Sequence, residues 1–191
     1  MSDILILARV RIHEFDLPVI ADYYFDVNAK LMTVEGFKGL SVWRDVSDAE
    51  SFLVIYDYAS PESADEGLQA VTQARTIAES QTADFRPADV IRMHVDAQSQ
   101  VRIHEADATT YLSMSVRFAD PGYGPELANE IGMIFDELRI MPGFVGSAYG
   151  TSDSLEEEVI GLVTWESPEA FSASIPPTKR PNQVILYSRF Y

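Results

Sequence analysis

Cysteine is absent from the 191-residue chain, which removes disulfide scaffolds, zinc ribbons, iron–sulfur clusters and thiol nucleophiles together. Basic residues are scarce. Fourteen Lys and Arg stand against 30 Asp and Glu, for a formal net charge of −16 and a pI near 4.4. Nucleic acid and anionic membrane both require a basic face, so the balance argues against either as a partner. Histidine occurs only as His13, His94 and His104. No two of them stand at metal-ligand spacing, so no metal site is expected. No apolar run approaches a membrane-spanning length, and the opening Met1-Ser2-Asp3-Ile4 carries no basic n-region. The expectation is a soluble, cytoplasmic protein. Gly122-x-Gly124 is too poor in glycine to cradle phosphate and reads as a turn after Asp120-Pro121, and there is no nucleophile-elbow Gly-x-Ser-x-Gly.

What is present is ordinary globular composition, 47% apolar and 23% charged, arranged twice. The apolar stripe Ile20, Tyr24, Val27, Leu31, Val34 has the 4-3-4-3 spacing of one helix face. An offset of 107 converts it to Leu127, Ile131, Ile134, Leu138 and Met141, all apolar. The same offset carries Pro18 to Pro125, Gly36-Phe37 to Gly143-Phe144, Gly39 to Gly146 and Ser60-Pro61-Glu62 to Ser167-Pro168-Glu169. Before the helix the offset is 106, pairing Val10-Arg11 with Val116-Arg117; near the end it is 94, pairing Arg86-Pro87 with Arg180-Pro181. Two amphipathic helices match by chance easily. Gly-Phe, Ser-Pro-Glu and Arg-Pro in one order do not, so the chain is read as an internal duplication.

Each copy reads strand, helix, strand, strand, helix, strand. In the first, Ile4–Ile12 is a strand. A helix follows from an Asp16 N-cap to about Val34, with Gly36 as its C′ glycine. Phe37–Arg44 and Phe52–Tyr58 are strands, Ser60-Pro61 opens a second helix to about Ser80, and Asp89–Val95 closes the unit. The second copy repeats this with Tyr111–Phe118, Glu126–Met141, Phe144–Gly150, Val159–Trp165 and Gln183–Tyr191. Its second helix is shortened, because Pro176-Pro177 cannot lie in a helix interior. The pattern βαββαβ is the ferredoxin-like unit, α+β, with an antiparallel sheet and helices on one face. A lone copy leaves its other face bare, so residues 1–97 and 109–191 are expected to form an internal pseudo-dimer, with 98–108 as tether. A further homodimer is left open. Within the tether, Val101-Arg102-Ile103-His104-Glu105 repeats Val10 to Glu14 verbatim but off the duplication register, as coincidence or an extra edge strand.

Two segments carry a family resemblance: Gly36-Phe37-Lys38-Gly39-Leu40, and the run from Phe52 through Asp57-Tyr58-Ala59-Ser60-Pro61-Glu62. With their counterparts Pro142-Gly143-Phe144-Val145-Gly146 and Thr164-Trp165-Glu166-Ser167-Pro168-Glu169, they resemble the antibiotic-biosynthesis-monooxygenase type of dimeric α/β barrel. The resemblance spans nearly the whole chain, twice, and implies tandem ferredoxin-like repeats forming an internal dimeric α/β barrel. It brings in cofactor-independent monooxygenases of phenolic or quinol substrates, haem-degrading oxygenases, isomerases and members without activity. The haem-degrading branch carries an Asn in its first strand and a His in its second helix. Neither Ile4–Ile12 nor Tyr111–Phe118 contains Asn, and neither Pro61–Ser80 nor Pro168–Arg180 contains His. Haem degradation by that route is therefore not expected, and no cofactor is.

Strand parity supplies the site candidates. Arg9, Arg11 and His13 share one face of the first strand, and Arg92 and His94 one face of the fourth. Strands one and four are neighbours in this fold, so the basic groups are placed either along a polar cavity or in ion pairs with acids such as Asp57 or Glu14. In the second copy Arg117 keeps its place, while Leu186 and Ser188 replace the fourth-strand pair. Tyr58 and Trp165 end equivalent strands where the resemblance opens its cleft. The expectation is a cofactor-independent monooxygenase or related small-molecule enzyme acting on an aromatic or anionic substrate. His94 or Tyr58 would be the base, and Arg11, Arg92, Tyr58, Arg117 and Trp165 the substrate contacts, with the site in the first copy. The alternative is a non-catalytic small-molecule-binding or scaffold protein of the same fold.

Overall fold

Every described strand finds two neighbours. In the computed structural model, which describes residues 3–79, 87–175 and 184–191, eight antiparallel strands close in the order β1-β3-β2-β8-β5-β7-β6-β4. The first copy comprises β1 (Ile4–Arg11), α1 (Leu17–Leu31), β2 (Phe37–Asp45), β3 (Ser51–Tyr58), α2 (Pro61–Glu79) and β4 (Pro87–Gln98). The second comprises β5 (Tyr111–Phe118), α3 (Gly124–Leu138), β6 (Phe144–Ser152), β7 (Glu158–Trp165), α4 (Pro168–Ser174) and β8 (Val184–Arg189). Copy is joined to copy along two seams. At one, Trp43, Arg44 and Asp45 of β2 pair with Arg189, Ser188 and Tyr187 of β8. At the other, Met93 to Gln98 of β4 pair with Ser152 to Ala148 of β6. The expected internal dimeric α/β barrel is the fold of the chain.

Closure explains the strand composition. β3 is apolar on both faces because both are covered. Phe52, Val54, Tyr56 and Tyr58 meet the helices, while Leu53 and Ile55 join Leu5, Leu7, Trp43, Met93, Leu112, Met114, Ile160, Leu162 and Tyr187 inside the barrel. Those interior side chains pack as one buried cluster. Among the described residues, no helix is long and apolar enough to cross a membrane.

Three local expectations are corrected. First, α1 stops at Leu31, short of Val34, and Gly36 (φ 84°) lies beyond a turn, where it aims the chain into β2 and is not a C′ residue. Second, Asp16 holds the N-cap position of α1 as expected, but it also ends a 3-10 turn (Glu14–Asp16) and its side chain makes no capping hydrogen bond. Third, the tether forms a 3-10 turn at Ile103–Glu105 and no edge strand. Ile103 is buried with the barrel interior, so the segment plugs one end. The duplicated glycines make room for it. A Cβ on Gly39 would strike the His104 ring, and one on Gly146 would lie 2.6 Å from the Val101 carbonyl oxygen. Pro176-Pro177 and Arg180-Pro181 lie outside the described residues, as does the backbone of Arg86. The helix before the proline pair, α4, has seven residues against nineteen in α2.

The two Ser-Pro helix starts behave alike. Ser60 Oγ accepts from Ser63 N at 3.2 Å and Ser167 Oγ from Ala170 N at 3.2 Å, with proline at the first helical position where no N–H is needed. Ser167→Ala is expected to cost about 1 kcal/mol, read as a shift in the urea midpoint at unchanged slope. An unchanged midpoint would show that the cap contributes nothing.

Candidate functional site

Register decides which basic residues meet. In the β1–β4 ladder, Ile4 stands opposite His94 and Ile6 opposite Arg92. Because Ile4 and Ile6 pack against the helices, Arg92 and His94 lie on the helix face, whereas Arg9 and Arg11 have the parity of Leu5 and Leu7 and belong to the barrel face. The structure thus brings Arg92 and His94 together and leaves Arg11 apart. Arg11 ends β1 in contact with Asp48 (3.0 Å) and Glu50 (3.2 Å), its side chain largely exposed. Arg9 points toward Met114 and sits 3.8 Å from Asp89.

The aromatic candidates are packed. Tyr58 is 1% exposed beneath α2, where Gly67 leaves space for its hydroxyl, and Phe37 lies 5.4 Å away. Burial pushes its phenol well above the usual value. Trp165, also 1% exposed, donates from Nε1 to Ser113 Oγ at 2.9 Å, and Ser113 donates onward to the Val163 carbonyl. Phe144 and Phe171 flank it. Arg117 is half-buried on β5 and meets no carboxylate within ion-pair distance among the described residues.

Arg92 and His94 open onto the β4–β6 seam. His94 Nε2 lies 2.6 Å from Asp153 Oδ1, while Arg92 places Nη1 2.6 Å from Asp65 Oδ1 and Nε 3.5 Å from Asp153 Oδ2. Directly opposite His94 in the ladder is Thr151. Thr151 lines a cleft of about 420 Å³ with Asp96 and Tyr149 from the sheet, Pro125, Ala128 and Asn129 from the first turns of α3, and Glu156 from the β6–β7 turn. That volume is in the range of small-molecule sites. Tyr149 stacks edge-on to Phe135, and its hydroxyl sits over Gly132. Desolvation raises the Asp96 carboxyl above its usual value, against the pull of His94. The charged groups lining the cleft are carboxylates. No group of three or more metal-ligating side chains gathers among the described residues.

The site is built from both copies, at one seam. The duplication carries His94 to Ser188 and Asp153 to Val46, so the β2–β8 seam has no such pair. Sequence reasoning found His94 and Arg92 but missed Asp153, Asp96 and Thr151. Their alternation along β4 and β6 is a visible signal. What it lacked was the pairing of β4 with β6.

No family model matches the chain, and no curated protein matches it in sequence. Solved structures do match in shape. A "putative monooxygenase" of Fusobacterium nucleatum superposes with a TM-score of 0.76 at 13% identity, over 100% of this chain and 93% of that one. Another so described, from Lactobacillus acidophilus, gives 0.74 at 12% identity, over 99% and 94%. An anthrone oxidase-like protein gives 0.68 at 17% identity, over 100% and 94%. The chain shares the dimeric α/β barrel fold of these structures, with both halves of the barrel on one polypeptide.

Proposed function

We propose that this chain is a small-molecule enzyme of the monooxygenase-like kind, working without a cofactor on a neutral, weakly acidic aromatic held in the cleft over the β4–β6 seam. One observation carries the reading: His94, bonded to Asp153 at 2.6 Å, stands opposite Thr151, and Thr151 lines that cleft. A histidine oriented by a carboxylate is a general base suited to neutral pH. It would take a proton from the substrate, and the resulting carbanion would reduce dioxygen. For an aromatic CH₂ the balance is R₂CH₂ + O₂ → R₂C=O + H₂O, one oxygen atom entering the product and the other leaving as water. Asp96 and Glu156 disfavour a substrate that arrives as an anion. Tyr149 and Asn129 are the polar groups on hand to meet the charge that forms after proton transfer.

Oxygen uptake with anthrone as probe tests this. Uptake above the uncatalysed rate is expected, and His94→Asn should lower kcat by about 10²–10⁴-fold. Equal rates for the two proteins would reject His94 as the base. The second reading, a non-catalytic binding protein, is favoured by the ion pairs that Arg11 and Arg92 make with acids. Anthrone bound one per chain without oxygen uptake would establish that reading instead.

A further inference from the structure

Resting on the assignment of His94 as base, we infer that Arg92 is its positioning residue, acting through Asp153 to hold the His94 ring in a single tautomer. The two oxygens of Asp153 have separate partners: Oδ1 takes His94 Nε2 at 2.6 Å, and Oδ2 faces Arg92 Nε at 3.5 Å. The Arg92 guanidinium is itself anchored at its other two nitrogens. Nη1 donates to Asp65 Oδ1 at 2.6 Å, and Nη2 to the Pro61 carbonyl at 3.0 Å, both at the start of α2. Its Nε is buried and makes no hydrogen bond, and Asp153 Oδ2 is the ion-pair partner beside it. A guanidinium fixed at two corners presents its third in one direction, which a flexible ammonium does not do.

The chain of contacts therefore runs α2, Arg92, Asp153, His94, and it crosses from one copy of the repeat to the other. Asp153 lies in the turn after β6, beyond the last ladder pair. Its backbone N–H is held by the Arg92 carbonyl at 2.8 Å. Arg92 thus grips this residue twice, by main chain and by side chain. With Asp153 so placed, Nε2 of His94 carries the hydrogen and Nδ1 is left to accept a proton. The other charged groups facing the pair are Asp96, which senses His94, and Glu62, which senses Arg92. Neither is bonded to the His94 ring.

The experiment needs no substrate. The chain contains three histidines, so long-range ¹⁵N–¹H correlation spectra resolve each ring and report its tautomer at a pH where the rings are neutral. Wild-type protein is expected to show His94 with the hydrogen on Nε2. Arg92→Gln is expected to lower the ratio of that tautomer to the other by about fivefold, the upper end for a partly exposed ion pair. In an Asp153→Ala background the same change should have no further effect. His104, bonded to Asp57 elsewhere in the barrel, reports the fold in the same spectrum. Should Arg92→Gln disturb His104 as well, Asp65→Asn is read instead, since it frees one corner of Arg92 from an exposed position and should move the His94 ratio in the same direction. An unchanged His94 ratio in the variant that leaves His104 intact overturns the inference.

Where anthrone turnover is found, Arg92→Gln should lower kcat and leave KM in place. The two readings fail separately. A fixed tautomer without oxygen uptake rejects the enzyme and keeps the relay. Oxygen uptake with a tautomer indifferent to Arg92 does the reverse.

Discussion

Arg102→Ala is expected to destabilise the protein by about 3 kcal/mol, although Arg102 lies in the tether and in neither repeat. Asp57 is 1% exposed at the end of β3, and two nitrogens of Arg102 donate to its two oxygens at 2.7 Å each. The guanidinium also donates to Asp3 at 2.7 Å, and Lys38 completes the chain on the other oxygen of Asp3. Removing one member of a buried pair strands the other charge, at a typical cost of about 3–5 kcal/mol. The low end applies because His104 Nδ1 still lies 3.1 Å from Asp57. Urea unfolding checks this, and a loss below 1 kcal/mol would show that the plug is not held by this pair.

The same network sets an acid limit. Burial by itself would raise the Asp57 carboxyl, but hydrogen bonds from His104 and Arg102 outweigh it and hold the group below the ordinary 3.8. For Asp3 too, burial is outweighed by hydrogen bonds from Lys38 and Arg102. A carboxylate lowered in the folded state stabilises at every pH above its unfolded value, and that contribution is lost as pH falls through the folded one. Stability of the wild type should therefore drop below about pH 4, with a shallower drop in Arg102→Ala.

Gly150→Ala should be costlier than its size suggests, about 3 kcal/mol, the upper range for overpacking. Gly150 pairs with Val95 across the β4–β6 seam, next to the bulge between Val95 and Ala97. An added Cβ would run into the His94 carbonyl oxygen, with the His94 carbonyl carbon 2.7 Å away. These are backbone atoms of the neighbouring strand, so no side chain can swing aside, and the seam must part. Thr151, next along the strand, and Asp153, in the turn after it, would move with it. The expected signature is a lowered thermal midpoint together with a loss of the His94 tautomer preference, since Asp153 would no longer meet the ring. Retention of both would mean that the seam absorbs the methyl group.

The repeat itself was legible because its signals are local. Ser-Pro at a helix start, Gly-Phe at a turn and a 4-3-4-3 apolar stripe each need only neighbouring residues to act, and all but the last residue of each stripe stand where the sequence places them. The termination of α1 at Leu31 was not legible. Gly36 has the left-handed backbone of a helix stop, but it uses it to enter β2. The candidate site was half legible. Arg92 and His94 share a face by strand parity, which the sequence carries. That this is the helix face, away from Arg11, depends on the register of β4 against β1.

By itself, then, the sequence determined the class of fold, its duplication and the closure of both copies on one chain, because apolar periodicity and turn chemistry are written residue by residue. Only the tertiary structure decided what the tether and the seams do. Arg102 and His104 find Asp57 some 45 residues or more away in the chain, and His94 finds Asp153 at a separation of 59. Contacts of that range leave no periodic trace. They arise when the barrel closes and β4 is laid against β6.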